Sequence, residues 1–112
     1  MPNTFPDTLS FLIKHNRITI EVLAERSGLG TSTIKRLKKC TPKSISVETV
    51  LRLCVGLRLH PLVSKELVRC SPIRFCFTVD HILCQEFLLH IQEMSYEQCE
   101  EELQYLKTNK FI

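Results

Sequence analysis

The sequence predicts an all-α protein made of five helices followed by a C-terminal helical hairpin. Apolar residues recur with the spacing of a helix along most of the 112-residue chain. Few segments alternate between apolar and polar residues, as strands with one buried face do. Capping residues, glycines and prolines interrupt the apolar pattern at intervals of helix length, and these interruptions set the predicted helix boundaries.

The first two predicted helices are joined by a short turn. We predict the first from Asp7, its N-cap, to His15, with Thr4 as the alternative cap. The second lies between Thr19, another N-cap residue, and Gly28, because glycine readily adopts the left-handed conformation that commonly follows a helix end.

Three further helices complete the predicted first domain. The third runs from Thr31 to about Lys39 and is followed by a loop at residues 40–44, which contain a proline. Ser46 opens the fourth, which Gly56 is predicted to end. The fifth starts at His60-Pro61 and runs to residue 70, because proline suits the first helical turn.

Ser71-Pro72 breaks the helical pattern and is the predicted boundary between domains at 1–71 and 72–112. The charge also changes near this point. Residues 1–74 contain 13 Lys and Arg against 5 Asp and Glu, a net charge of +8, whereas residues 75–112 contain 2 against 7, a net charge of −5. The first part is therefore suited to meet a polyanion and the second is not.

The second domain is predicted to be a helical hairpin after an extended link at residues 74–77. Thr78 caps a long helix to about Glu93, and Ser95 with Gln98 forms a capping box for the last helix. The first of these helices carries too much apolar surface to lie half-exposed on a monomer. We therefore predict that the hairpin mediates dimerisation or contact with a partner protein. The alternative is that it completes the core of the first domain.

The segment Thr19–Lys39 has the spacing of a helix-turn-helix (HTH). Ala24 lies four residues before Gly28, and Ile34 lies six residues after it. Two helices that cross at roughly 90–120° over a short turn come close together, so a small residue and a glycine fit there. The second helix of such a unit can lie in the major groove of DNA, with its first residues at the base edges.

The second HTH helix carries short hydroxyl residues and then basic residues. Arg36 can bond bidentately to guanine, and the neighbouring lysines suit phosphate contacts. The alternative is a merely solvated basic face, but no acidic residue occurs between Arg26 and Glu48, which favours an anion-facing surface. The residues predicted to contact DNA are Thr19, Thr31, Ser32, Thr33, Lys35, Arg36, Lys38, Lys39 and Lys43.

Residues 9–60 resemble the Cro/repressor-type HTH family, also called XRE. The resemblance implies a compact bundle of about five helices that binds operator DNA, commonly as a dimer. It also implies that Thr31, Ser32 and Arg36 read the bases. It rests on Leu23-Ala24, Gly28, Ser32-Thr33-Ile34, the later run of residues 46–51, and Leu57.

Three positions depart from the family pattern. Ile20 stands where the family often has a polar residue that bonds a phosphate, and Ile13 stands where an arginine is frequent. Lys38-Lys39-Cys40 replaces the usual acidic-x-Gly after the recognition helix. These changes bear on the phosphate contacts and leave the turn spacing intact.

Other classes of function find little in the sequence. No apolar run approaches the roughly 20 residues that cross a bilayer, and the N-terminus has no signal-peptide pattern, so we expect a cytoplasmic protein with no membrane partner. The chain has no nucleophile elbow, phosphate loop or His-Glu-x-x-His, and we predict no enzymatic activity. Asp80-His81 as an acid–base pair and His90 with Cys99 as metal ligands are weak alternatives.

The six cysteines contain no Cys-x-x-Cys pair and do not combine with histidine in zinc-ligand spacing. We therefore predict small buried thiols, no metal and no cofactor. The leading interpretation is a DNA-binding transcriptional regulator, most often a repressor in this family, that acts on double-stranded DNA as a homodimer. The alternatives are the DNA-binding antitoxin of a toxin–antitoxin pair and a helical protein-interaction module.

Overall fold

The computed structural model describes residues 4–40, 44–73 and 79–112, and within these ranges it is helical without strands. The all-α prediction is therefore confirmed. A 3-10 turn at Ile91–Glu93 separates the last two helices. The α-helices are α1 (Phe5–His15), α2 (Ile20–Ser27), α3 (Thr31–Lys39), α4 (Val47–Leu57), α5 (Pro61–Cys70), α6 (Val79–His90) and α7 (Tyr96–Thr108).

Most predicted caps occupy their expected positions. The Thr19 hydroxyl accepts from the Val22 amide at 3.2 Å, and Ser95 with Gln98 forms the complete capping box of α7. Gly28 has a φ of +79°, the left-handed conformation predicted for it. The sequence-level boundaries of α2 and α3 are confirmed to the residue.

The cap of α1 is Thr4 and not Asp7. The Thr4 hydroxyl accepts a hydrogen bond from the Asp7 amide at 3.4 Å, so Asp7 lies in the first helical turn. There the negative charge of its carboxylate interacts favourably with the positive end of the helix dipole. The alternative cap is therefore the correct one. The predicted Thr78 cap, the extended link at 74–77 and most of the loop at 40–44, including Lys43, lie outside the described residues.

Gly56 does not end α4, as the sequence predicted, but lies buried inside it. A Cβ at this position would lie 2.7 Å from Leu23 Cδ1 and 2.9 Å from Ser27 Cβ, both in α2. The glycine therefore allows α2 and α4 to approach closely. The left-handed residue that ends α4 is Arg58, with a φ of +49°.

The two C-terminal helices pack against α4 and α5. α6 contacts α4 and α5, and α7 contacts α4, so their buried side chains join the same apolar core as those of α1–α5. The long helix predicted to reach Glu93 ends at His90 and continues as the 3-10 turn. The division into two domains after residue 71 stays a prediction.

Within the described residues, no helix combines the length and the apolar character needed to span a bilayer.

Candidate nucleic-acid interface

The HTH unit is built by α2, the turn at residues 28–30, and α3. The side chains of Leu23, Ile34 and Leu37 fill the angle between the helices, and each is at most 2% exposed. The turn begins as the Gly28 amide donates to the Ala24 carbonyl at 2.9 Å. The predicted packing of the turn is thus present, and it fixes the direction in which α3 points.

The outer face of α3 is formed by the residues that do not pack in this angle. Among those predicted to contact DNA, Thr33 and Lys38 are half-buried, whereas the others in the helix are exposed. The exposed set is Thr31, Ser32, Lys35, Arg36 and Lys39. We call these seven residues the outer face of α3. The structure therefore brings the predicted base-reading and phosphate residues of α3 to one surface.

The cations of the outer face of α3, which are Lys35, Arg36, Lys38 and Lys39, have no ion-pair partner among the described residues. No acidic residue lies in the first turn of α3, and its N-cap Gly30 supplies no side-chain hydrogen bond. The surface is consequently positive and suited to an anionic ligand.

Two clefts border α3. The cleft on the α4 side, of about 290 Å³, is lined by Thr33, Arg36, Ser46 and Thr49 among others. The Ser46 and Thr49 hydroxyls lie 2.8 Å apart there, at the N-terminus of α4. Sequence reasoning identified Ser46 only as a cap. The signal that it missed is that a helix N-terminus beside a basic helix offers further donors to an anion.

The other cleft, of about 260 Å³, lies where α3 meets the start of α2 and is lined by Ile20, Lys35, Lys38 and Lys39. Thr19, the residue before Ile20, is exposed. Its hydroxyl oxygen accepts the capping hydrogen bond, which leaves the O–H available as a donor. Three lysines thus surround the position where Ile20 departs from the family pattern.

Two arginines outside α3 make their contacts within the fold. Arg52, on α4, is only 8% exposed and bonds two carboxylates and a backbone carbonyl. The hydrogen bonds that its guanidinium donates to the carboxylates of Glu100 and Glu48 raise its pKa, against the opposing effect of burial. Arg58 donates to the carbonyls of Gln92 and Met94 at 3.2 and 2.8 Å. Arg17, by contrast, is exposed.

The alternative sites gain no support from the geometry. His90 Nε2 lies 3.1 Å from Glu86 Oε1, and its Nδ1 lies 3.0 Å from Glu93 Oε2. Both glutamates are close to His90 in sequence and exposed. In residues 4–40, 44–73 and 79–112, no cluster of three or more His, Cys, Asp or Glu side chains is arranged to hold a metal ion. Asp80 and His81 are both half-buried, and neither joins the outer face of α3.

Three cysteines, Cys54, Cys84 and Cys99, are buried as predicted, whereas Cys40 is exposed and Cys70 is half-buried. Burial raises the pKa of the Cys54 thiol to about 12 and, with the Asp80 charge, that of the Cys84 thiol to about 11. Both thiols are therefore protonated at neutral pH, and their contribution is to packing.

Residues 8–61 match the family model of the Cro/C1-type HTH DNA-binding domain. This range contains the complete HTH unit together with α4 and most of α1. No curated protein and no solved structure gives a significant match to the chain.

Proposed function

We propose that this protein is a sequence-specific transcriptional regulator that reads double-stranded DNA with α3, because residues 8–61 match the model of the Cro/C1-type HTH DNA-binding domain. The observation that carries the proposal is the outer face of α3, whose four cations have no ion-pair partner among the described residues. Such cations meet phosphate without first breaking a salt bridge, and they release counterions from the DNA as they do so.

The residues of this face have two roles in the proposal. Thr31, Ser32 and Arg36 contact base edges, because they are exposed at the start and middle of a helix that enters the major groove by its N-terminal part. The lysines, together with Thr19, contact phosphates and fix the position of the protein on the duplex.

Selection of bound sequences from random duplex DNA tests this function. We expect a recovered motif, to which Arg36→Ala binds more weakly by about 1–3 kcal/mol, with relaxed preference at one base pair. Arg69→Ala is the matched control, because it removes an exposed arginine that pairs with Glu66 on α5. Recovery of no motif would falsify sequence-specific recognition, and uniform weakening by Arg36→Ala on all DNA assigns Arg36 to phosphate.

We also propose that two copies bind DNA together through α5 and α6. Four large apolar side chains on these helices are exposed to between 49% and 68%, although the described core buries many others. They are Leu62, Val79, Ile82 and Leu89. A dimer that covers them would place two α3 helices at half-sites about one helical turn apart.

Sedimentation of the full chain tests the dimer. We expect a wild-type dimer and a monomeric Ile82→Glu variant, since a carboxylate in an apolar interface is costly. Thr108→Glu adds the same charge at the exposed end of α7 and should leave the dimer intact. A monomeric wild type contradicts the dimer and leaves this face to a partner protein.

Repression is the regulatory outcome that we propose, with the protein in the compartment that holds the DNA. A reporter placed downstream of the selected motif tests it, because expression should fall when the protein is present and recover with Arg36→Ala.

A further inference from the structure

α7 is joined to the HTH unit by a buried arginine of α4. The Arg52 guanidinium donates to both carboxylate oxygens of Glu100 on α7, at 2.7 Å from Nη1 and 3.2 Å from Nη2. Its Nε donates to Glu48 at 3.0 Å. Two-pronged pairing of this kind fixes the orientation of the guanidinium as well as its position.

The same guanidinium supports the turn between α2 and α3. Arg52 Nη1 donates to the carbonyl of Ser27, the last residue of α2, at 3.1 Å. A Cβ at Gly28 would lie 2.7 Å from that nitrogen, so the turn rests directly on the arginine. One nitrogen atom therefore links the Glu100 carboxylate to the backbone where the HTH turn begins.

Three further polar contacts hold α7 in place. The Tyr96 ring lies under the guanidinium of Arg26, in α2, at 5.5 Å and near that of Arg58 at 5.3 Å. The ammonium of Lys107 lies 3.7 Å from Glu48. Below these polar contacts, Cys99, Leu103 and Leu106 of α7 are each about 1% exposed and join the common core.

We infer that Glu100 and Arg52 are positioning residues for DNA recognition, and that α7 is a working part of the DNA-reading unit although it lies outside residues 8–61. Glu100 orients Arg52, Arg52 holds the Ser27 carbonyl and the Gly28 turn, and the turn sets the direction of α3. Neither residue touches the DNA in this scheme. The inference rests on the proposed function, since the consequence of a misplaced α3 is weaker reading of the motif.

Glu100→Gln in the full chain, with Glu101→Gln as its matched control, tests the inference. Both variants remove one negative charge from α7, but Glu101 is exposed and has no hydrogen bond or ion pair among the described contacts. Loss of a negative charge alone raises affinity for DNA, because repulsion from the phosphates falls. Loss of the positioning contact lowers affinity for the motif instead. The effect of charge and the effect of positioning on affinity therefore have opposite signs and can be distinguished.

We expect Glu100→Gln to weaken binding to the selected motif by about tenfold relative to Glu101→Gln, with equal affinity of both for unrelated duplex DNA. The measurement is made at a temperature where both variants are fully folded. If the two variants bind the motif equally well, Glu100 contributes to folding at most, and the inference is overturned.

Amide hydrogen exchange of the free protein gives a second readout that needs no DNA. We expect the amides of Gly28 and Leu29, which donate to the Ala24 carbonyl and the Ser27 hydroxyl, to exchange faster in Glu100→Gln than in Glu101→Gln, with unchanged exchange in α1. Equal exchange at the turn overturns the coupling even if affinity changes. If the wild type selects no motif but the turn still exchanges faster in Glu100→Gln, the proposed function fails and the coupling of α7 to the turn stands.

Discussion

The outer face of α3 and the contact between α4 and α7 place the same kind of side chain in opposite surroundings. Arg36 is exposed and has no ion pair among the described residues, whereas Arg52 is 8% exposed and bonds Glu48, Glu100 and Ser27. A cation with no partner is available to an external anion, and one with three partners is committed to the fold. Positive charge in this chain is therefore divided between a surface that is free to bind a ligand and contacts that stabilise the fold.

The first prediction applies the same change to both regions. Arg52→Ala should lower the free energy of unfolding by about 3 kcal/mol, because it leaves two carboxylates and a buried carbonyl without their donor. This is the lower end of the range for broken buried pairs, since the Glu100 side chain is 49% exposed. Arg36→Ala should change stability by no more than about 0.5 kcal/mol.

Urea unfolding of both variants measures the two values. A loss of equal size in both would remove the distinction between the two regions, because Arg36 would then have a structural partner that matters as much as those of Arg52.

The second prediction concerns the close contact of α2 with α4. Gly56→Val should lower the free energy of unfolding by about 2 kcal/mol, because the added carbons meet Leu23 and the backbone of Ser27, which cannot move aside cheaply. The better helix propensity of valine offsets at most about 0.5 kcal/mol. At Gly30, by contrast, a Cβ meets nothing closer than 3.9 Å.

Thermal unfolding of Gly56→Val and Gly30→Ala checks this. A Gly56→Val variant as stable as the wild type would mean that α2 and α4 can separate without cost, and Gly56 would then be an ordinary helical glycine.

Local features of this fold could be predicted from the sequence, whereas the close crossing of α2 and α4 at Gly56 could not. The caps at Thr19 and Ser95 and the Gly28 turn were predictable, because each is a local pattern of residues within one helical turn. The prediction that Gly56 ends α4 is wrong, because the sequence does not distinguish a glycine that ends a helix from one that lets two helices cross closely. Arg58 ends the helix instead with a φ of +49°, and its side chain donates to the carbonyls of residues 92 and 94.

The candidate site divides in the same way. The exposed face of α3 follows from helical periodicity and was predicted correctly as a surface, though its contacts with DNA stay a prediction. The role of Arg52 was not predictable, because its partner Glu100 lies 48 residues away and no local spacing joins them. The other carboxylate partner of Arg52, Glu48, lies four residues earlier on the same helix, a spacing at which an ion pair can be predicted from sequence.

The third prediction concerns the two lysines at the end of α3. Replacement of both Lys38 and Lys39 by Gln should reduce the slope of log affinity against log salt by roughly 2, since each phosphate contact contributes about 0.9. Stability should change little, because neither lysine forms an ion pair among the described residues.

The control is Lys65→Gln combined with Lys110→Gln, which removes the same charge from exposed positions on α5 and near the C-terminus. An equal reduction of the slope by the control pair would show that only net charge matters, and that the three lysines around Ile20 form no phosphate site.

The fourth and smallest effect lies at a third kind of charged contact, which is exposed but paired. Hydrogen bonds to Glu93 and Glu86 raise the pKa of His90 above its ordinary value of 6.5. The folded state therefore binds the proton more tightly than the unfolded state, so the contribution of His90 to stability is fully present below about pH 6.5. It is lost as the pH rises through the folded-state pKa. Both carboxylates and the imidazole are exposed to solvent, which screens the contacts and keeps the effect small.

Thermal midpoints of the wild type and of His90→Gln, measured from pH 5 to pH 9, test this sign. The two proteins should differ most at the acidic end and converge at the alkaline end. Divergence toward alkaline pH would mean that His90 is stabilising as the neutral imidazole, which is incompatible with carboxylates on both ring nitrogens. In that case an exposed cation with ion-pair partners would contribute as little to stability as an exposed cation without them. Burial alone would then distinguish the cations that stabilise this fold from those that are available to a ligand.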